Sequence, residues 1–525
     1  MRIPLSLLSL ITSLLVIGYT YFNSDSIGEK QLLIYIVLFA LGVCLIHFIR
    51  NKALKVVFVI PFFLIYSLLS FVEFAHGDLF NSRITTSTIS ILLETNTLEI
   101  GEFLNTYITG FHIVVAFLLM GTLIIAFIAL LKQSSGNSIP KIIANNKLML
   151  SLFIVSLICL YMFREHFLPI QVANTIEDYQ HQKEIIESVN VTPDGNFKNV
   201  IHEPTSNKKL VVLVLGESTT RNHMSLYGYY RKTNPLLELR KDELLIYKDV
   251  ISPNTHTIPS LGKALTLDDY EVPSKKYNST LIQLFNKAGF KTYWISNQRP
   301  VGVYETSTKI ISRNSDVSIY TDISEGAFDG KVLGHLKKAL KDDSDKKLIV
   351  IHLMGTHVAY NRRYPETFNT FNDEPITSFK SEKAFQMINE YDNAVLYNDY
   401  VLNEIINEVE KKDLESAVLY LSDHGEEVYE TRNKNGHTES KGSKPMYDIP
   451  FILWRSNKFL EKSETFEIVL DRPYSSENLP YSLAHLAKIK FDGYIKEKSI
   501  FDSDFIIEDR IILNDKLYDE VFKEE

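Results

Sequence analysis

Glu217, Asp423 and His424 are the residues of this chain whose types and placement first suggest chemistry. Glu217 lies in Gly216-Glu217-Ser218, directly after the apolar run 210–215. Asp423 and His424 lie in Ser422-Asp423-His424-Gly425, directly after the apolar run 417–421. Two carboxylates and an imidazole form a donor set that suits a zinc ion, with a further position open to a nucleophile. That last ligand is expected to be an oxygen that becomes the attacking group, and Thr219, Thr220, Thr255 and Thr257 are the candidates. A threonine hydroxyl is a poor nucleophile at neutral pH. A zinc ion can stabilise its alkoxide, much as it lowers the pKa of bound water from about 16 to about 7. An oxygen so activated can attack phosphorus, form a covalent phospho-enzyme and split a group transfer into two steps. Singly, Gly-Glu-Ser is an ordinary helix start and His357 and His437 are ordinary surface histidines. Together, at successive strand ends, they point to catalysis.

These groups need elements that bring them to one place. From residue 208 onward, short β-branched runs at 210–215, 292–295, 348–353 and 417–421 alternate with helical stretches at 280–288, 331–340 and 385–410. Runs that are apolar over most of their length suit strands buried on both faces of a parallel sheet, and the alternation predicts an α/β sandwich. In such sheets function gathers just past the carboxyl ends of the strands. Each run here is followed by a polar string: the two named above, Ser296-Asn297-Gln298, and Gly355-Thr356-His357. Asn297 is therefore a substrate-binding candidate.

The first third of the chain reads differently. Five apolar runs, 3–22, 31–49, 56–74, 110–131 and 148–168, approach the ~20 residues that a membrane span needs. Arg2, then Arg50, Lys52 and Lys55, then Lys132, Lys141 and Lys147 all fall on one side of a five-span arrangement. The excess of basic residues places that side, and the N-terminus, in the cytoplasm. Everything after the fifth span is then outside. Residues 85–107 read as an external helix near the membrane surface, with Thr95 and Glu99 spaced to share a face. Residues 169–189 read as an amphipathic bridging helix, and 190–207 as a linker. The expected organisation is a transmembrane domain over 1–168, a bridge over 169–207 and a catalytic domain over 208–525.

Composition sets limits. A chain of 525 residues with a formal net charge of −9 exceeds one compact core and shows no basic footprint for nucleic acid. Its two cysteines, Cys44 and Cys159, sit in apolar runs, so the polar two-thirds can hold no disulfide and no cysteine nucleophile.

The strings VVLVLGESTTRNHMSLYGY (211–229), DVISPNTHTIPSL (249–261), YWISNQ (293–298), IHLMGTHVAYNRRYP (351–365), YDNAVLYNDY (391–400), YLSDHGEEVY (420–429) and GHTESKGSKPMYDIPFILW (436–454) resemble the phosphoethanolamine transferases of the alkaline phosphatase and sulfatase superfamily, most of all the branch that acts on the lipopolysaccharide core. The resemblance implies a five-helix transmembrane domain followed by a sulfatase-like α/β/α sandwich with a central, mostly parallel sheet. It selects Thr257 among the threonines as nucleophile and metal ligand, and matches Glu217, Asp423 and His424 to zinc ligands. It matches His357 and His437 to histidines that bind the phosphoryl group or a second zinc, and Thr95 and Glu99 to positions that bind the donor lipid. At the preceding turn of that external helix, where relatives carry a polar residue, this chain has Ile91. Some members place a lysine where this chain has Arg299. The absence of disulfides in the soluble domain sets it apart from the lipid A-directed members. The implied activity is transfer of phosphoethanolamine from phosphatidylethanolamine to lipopolysaccharide, by a monomer in a Gram-negative inner membrane with its catalytic domain in the periplasm. The alternatives are a phosphodiesterase or phosphatase-type hydrolase, or a phosphoglycerol transferase, of the same superfamily. Thr257-Ile258-Pro259-Ser260-Leu261 lacks the Cys or Ser followed by Pro and Arg that formylglycine sulfatases need.

Overall fold

A computed structural model describes residues 5–523, except 25, 81–82, 85–87, 90–91, 93–96, 133–144, 189–190, 203–207, 268–274, 276–277, 299–306, 322–327, 439–440, 462–465 and 513–514. Thr95, Ile91 and Arg299 lie outside the described residues. The chain separates into two units, Met1–His181 and Gln182–Glu525.

In the first unit, apolar sequence with few charges forms helices α1 (Leu5–Asn23), α2 (Glu29–Phe48), α3 (Lys52–Phe80) and α5 (Gly110–Lys132), each long and apolar enough to cross a membrane. Leu15, Val114 and Phe117 are exposed on their outer faces, as lipid-facing side chains are. Close approach between helices relies on small residues. Ser9 and Ser13 of α1 both bond Ser67 of α3, at 3.2 and 3.0 Å. A Cβ on Gly42 of α2 would meet Leu10 at 2.7 Å. Helix α4 (Thr97–Tyr107) covers the second half of the expected external helix and contains Glu99.

The expectation of five full spans needs correction. Helix α6 (Asn146–Met162) has 17 residues and stops short of the end of the expected 148–168 run, so among the described residues four helices reach a clear spanning length and a fifth is shorter. Arg164, Glu165 and His166 break it by forming a 3-10 turn, and Leu168 opens a new helix, α7 (Leu168–Ser188). The division between the two units falls within α7.

The second unit is built on a seven-stranded sheet. In chain order the strands are β1 (Lys209–Gly216), β2 (Leu244–Tyr247), β3 (Lys291–Ser296), β4 (Val317–Tyr320), β5 (Lys346–His352), β6 (Glu415–Ser422) and β7 (Phe451–Arg455); in space they run β2-β7-β6-β1-β5-β3-β4. All pairings are parallel except those of β7, which is antiparallel to both neighbours. Strand β1 is buried along its whole length. Leu210, Val212 and Val214 enter one apolar cluster, while Val211, Leu213 and Leu215 enter another. Successive side chains point to opposite faces, and both faces are covered, so the run is apolar throughout instead of alternating.

Helices α8 (Thr257–Ala264), α9 (Leu281–Lys287), α10 (Val332–Ala339) and α11 (Glu382–Glu410) connect and cover the sheet. Local signals start two of them. The Thr280 hydroxyl accepts from the Gln283 amide while the Gln283 side chain accepts from Thr280 N–H, and Ser381 accepts from the Ala384 amide. The register pairs Leu215 with His352, Gly216 with Ser422, and Ser296 with His352. The carboxyl ends of β1, β3, β5 and β6 therefore finish side by side.

Candidate metal and nucleophile centre

Glu217 leaves β1 into a sharp turn. Ser218 takes a left-handed φ of 54°, an uncommon conformation for a residue with a Cβ and one that gathers at functional sites. The turn is held from several sides. Ser218 N–H donates to Asp423 Oδ1 at 3.0 Å, Thr219 N–H to Ser422 Oγ at 2.9 Å, and Thr220 N–H to the Tyr391 hydroxyl of α11 at 2.9 Å. The loop after β5 presses on the same turn. Thr356 N–H donates to the Glu217 carbonyl at 2.9 Å, and a Cβ on Gly355, itself at φ 52°, would meet the Glu217 backbone N and O at 2.7 Å.

Asp423 and His424 follow β6, adjacent to β1, so residues some two hundred positions apart in sequence become neighbours. Asp423 Oδ1 accepts from Ser218 N–H and, at 2.7 Å, from His424 N–H. His424 Nδ1 lies 2.8 Å from the Gly425 carbonyl, which assigns the proton to Nδ1 and leaves Nε2 as the donor lone pair. That Nε2 is 3.4 Å from Glu217 Oε1 and 3.4 Å from Asp423 Oδ2. Thr257 opens helix α8, and its hydroxyl lies 3.1 and 3.2 Å from the two carboxylate oxygens of Glu217. Of the four candidate threonines, Thr257 is, among the described residues, the one bonded to a ligand-type carboxylate. Thr219 bonds the Glu217 backbone and Thr356, Thr220 caps a 3-10 turn, and Thr255 is fully buried beside His256.

The donor set fits a metal ion. Ligand atoms of Glu217, Asp423 and His424 all lie within 4.8 Å of one another. Asp423 Oδ2 and His424 Nε2 are buried without a hydrogen-bond partner, an expensive state unless a cation supplies one. The electrostatics agree. Burial and the charge of Glu217 push the Asp423 carboxyl up to about 8. Burial would lower His424, yet the Asp423 and Glu217 carboxylates outweigh it and raise the imidazole to about 10. Burial would likewise raise Glu217, but the adjacent His424, followed by the charge of His357, holds it well below the usual carboxylate range. Packed this way, the cluster demands positive charge at its centre.

A second donor group shares His424 and adds Glu426 and His437. His437 Nδ1 is 2.6 Å from Glu426 Oε2, and the His437 ring stands 4.4 Å from that of His424. The His256 ring lies 4.9 Å from that of His437. His357 follows the turn pinned to Glu217 and its charge acts on that carboxylate.

Asn297 is placed elsewhere. It is fully buried, its amide donates to Asp329 Oδ1 at 2.7 Å, and its carbonyl accepts from Thr321. Asp329 in turn accepts from Met354 and Gly355 N–H, each at 2.8 Å, so Asn297 braces the turn before His357 and is not among the partners of the Thr257 hydroxyl. The next residue does reach the cluster. Gln298 Nε2 donates to Glu217 Oε2 at 3.0 Å and to the Leu353 carbonyl at 2.8 Å. Gln298, Glu426 and His256 are the site residues that sequence reasoning missed. All three stood inside quoted motifs, and a polar residue beside a ligand was the available signal.

The chain matches the Sulfatase family over residues 209–489, more than half its length. It belongs to the sulfatase family. Within that family it is similar to phosphoethanolamine transferase EptC of Escherichia coli, with 36% identity over 326 residues that cover 60% of this chain and 56% of the relative. The match thus spans little more than half the length of that relative. A crystal structure of the C-terminal periplasmic domain of E. coli EptC in complex with Zn superposes with a TM-score of 0.58 at 34% identity, covering 61% of this chain and 94% of that one. The integral membrane protein lipooligosaccharide phosphoethanolamine transferase A of Neisseria meningitidis shares the fold over 95% of this chain and 97% of its own, with a TM-score of 0.66 at 21% identity. The sulfatase-family sheet and the apolar N-terminal helices therefore occur together in a known architecture.

Proposed function

We propose that this sulfatase-family protein transfers phosphoethanolamine from phosphatidylethanolamine to a lipopolysaccharide acceptor, core heptose or core phosphate, through a covalent intermediate on Thr257. The observation that carries the reading is the Thr257 hydroxyl lying within hydrogen-bond distance of both Glu217 oxygens, beside the unpartnered atoms of Asp423 and His424. Glu217, Thr257, Asp423 and His424 would hold one zinc ion, and His424, Glu426 and His437 offer donors for a second. When bound, zinc supplies Lewis-acid charge beside the hydroxyl and the phosphoryl oxygens. The relative crystallised with Zn supports that choice of metal.

The chain's own residues account for the rest. Glu217, steadied by Gln298, orients the Thr257 oxygen toward phosphorus. Thr257 starts α8, where N–H groups of the first turn and the helix dipole favour an anionic phosphoryl group. The Thr257 oxygen forms a bond to phosphorus, the bond from phosphorus to the diacylglycerol oxygen breaks, and the threonine proton ends on diacylglycerol. His437, oriented by Glu426, and His357 are the groups that carry that proton and offset phosphoryl charge. An acceptor hydroxyl oxygen then attacks the same phosphorus, the bond from phosphorus to Thr257 breaks, and the acceptor's proton passes to the threonine oxygen. The protein is read as a monomer, multi-pass in a Gram-negative inner membrane, with its N-terminus cytoplasmic and its catalytic unit periplasmic. That orientation is supported by the basic connections and uses the 17-residue α6 as the last crossing.

Mass spectrometry of lipopolysaccharide from cells with and without the protein tests the reading. Added phosphoethanolamine is expected with the wild type. Thr257→Ala should abolish it, a loss of at least a thousandfold, with the protein still folded and membrane-bound. Full activity of Thr257→Ala overturns the nucleophile, and release of free phosphoethanolamine without acceptor modification makes the protein a hydrolase.

A further inference from the structure

The membrane unit contains a polar cavity whose lining shares no residue with the Thr257 centre. Its volume is about 440 Å³, within the roughly 300–1,000 Å³ of ordinary small-ligand sites. Helix α7 supplies one wall through Gln171, Asn174, Thr175 and Asp178, whose spacing of three, four and seven puts them on one face. Arg83 and Glu165 close it from the segments that follow α3 and α6, and Gln31 from the start of α2. Successive spans alternate in direction, so these three segment ends share one membrane face.

The lining carries both signs of charge, Arg83 against Glu165 and Asp178, together with His166. The Arg83 guanidinium lies against the backbone at Gly28, where a Cβ would meet Nη2 at 2.8 Å and Cζ at 3.0 Å. Glycine there makes room for it. Among the described residues Glu165 pairs with the exposed Arg164 at 3.3 Å, whereas no ion pair is found for Arg83 or Asp178. Thr175 and Gln31 are buried in the wall, and Gln171 Oε1 is buried without a hydrogen-bond partner. A guanidinium matches a phosphate, and Asp178 with Glu165 matches an ammonium a few ångströms away. Ile84 belongs both to the cavity wall and to an apolar cluster with Leu168, Leu69 and Val172. A ligand held here therefore has apolar surface beside its charged end.

We propose that this cavity binds the phosphate-plus-ammonium headgroup of a phospholipid, with Arg83 on the phosphate and Asp178 and Glu165 on the ammonium. The identification of that lipid as the transferred group's donor rests on the transferase reading; the pocket itself does not.

Full-length protein carrying Thr257→Ala, so that no turnover occurs, would be freed of lipid in detergent and titrated with phosphatidylethanolamine, phosphatidylglycerol or soluble phosphoethanolamine, with bound lipid read by native mass spectrometry. The parent is expected to prefer phosphatidylethanolamine over phosphatidylglycerol. Arg83→Gln and Asp178→Asn should each weaken its binding about tenfold, the size expected for one charged contact, while Arg83→Lys retains most of it. Equal affinity for the two lipids in the parent needs no substitution to read and overturns the ammonium assignment. Unchanged binding in both variants overturns the pocket. Displacement of the lipid by an equal concentration of soluble phosphoethanolamine supports the pocket and makes the headgroup alone its ligand. A protein that binds phosphatidylethanolamine through Arg83 yet never modifies an acceptor sinks the transferase reading and leaves the pocket standing.

Discussion

Two of the buried charge clusters among the described residues of the second unit are finished differently. In the nest beneath α11, Asp392 accepts from Tyr229 at 3.0 Å and from Arg231 at 2.8 Å, and meets His223 Nδ1 at 2.6 Å. The other nitrogen of His223 lies 3.3 Å from Glu430. Negative and positive groups alternate there: Arg231 also meets Asp373, and Glu430 accepts from Asn222 at 2.9 Å, with Glu430 Oε1 left as one buried atom without a hydrogen bond. At Glu217, Asp423 and His424 the balance fails: two carboxylates face one imidazole, and two polar atoms are left over. A matched nest can be structural by itself. A mismatched one gains stability from an added cation, so charge balance and leftover atoms, two against one, separate the brace from the proposed metal centre where burial does not, since both are buried.

Metal removal should break this comparison most strongly. Zinc at a thousandfold excess over its dissociation constant should stabilise the full-length protein by about 4 kcal/mol, read as a rise in melting temperature that chelator reverses. Asp423→Asn should remove that rise together with activity, yet leave the metal-free protein as stable as the wild type or more so, because it relieves repulsion between carboxylates. The same change in the other nest should have the opposite sign. Asp392→Asn leaves His223 and Arg231 short of their countercharge and should cost roughly 3–5 kcal/mol, with zinc binding retained. Equal responses of the two nests to neutralisation would end the distinction.

The matched nest also carries a pH signature. Burial alone would lower His223, but Asp392 and then Glu430 outweigh it and raise the imidazole to about 10. Its folded value lies above its unfolded one. The stabilisation is therefore complete below about 6.5 and is lost as pH rises toward 10. Arg231 and Tyr229 face the same carboxylate. Thermal melts of wild type and Asp392→Asn should converge over that alkaline window. The smallest expected effect is at Gln298. Removing one hydrogen bond to a charged group, as in Gln298→Ala, should cost about 1.5–3 kcal/mol of orientation at Glu217, seen as a lower turnover number with zinc content unchanged.

Much of this protein was legible in its residues because the signals are local. Runs apolar on both faces became β1, β3, β5 and β6, and apolar stretches with few charges became four helices of spanning length, since burial on each face leaves its mark at every position. Glu217, Asp423 and His424 stood out by following such runs. Other features needed partners distant in the chain. Residue types left four threonines as candidates, and the resemblance, not spacing, singled out Thr257. The contact of Thr257 with Glu217, 40 residues away, belongs to the fold. Asn297 and Gln298 are neighbours with similar side chains, but successive residues leaving a strand point to opposite sides. Only the packing of Asp329 on one side and Glu217 on the other decided which braces a turn and which touches the centre. The fifth helix ended early because Arg164 to His166 turn the chain, a break that an average over apolar residues smooths away. Periodicity records which side of an element is covered; which atom covers it is settled by long-range register, and the chemistry of this site lies in that second choice.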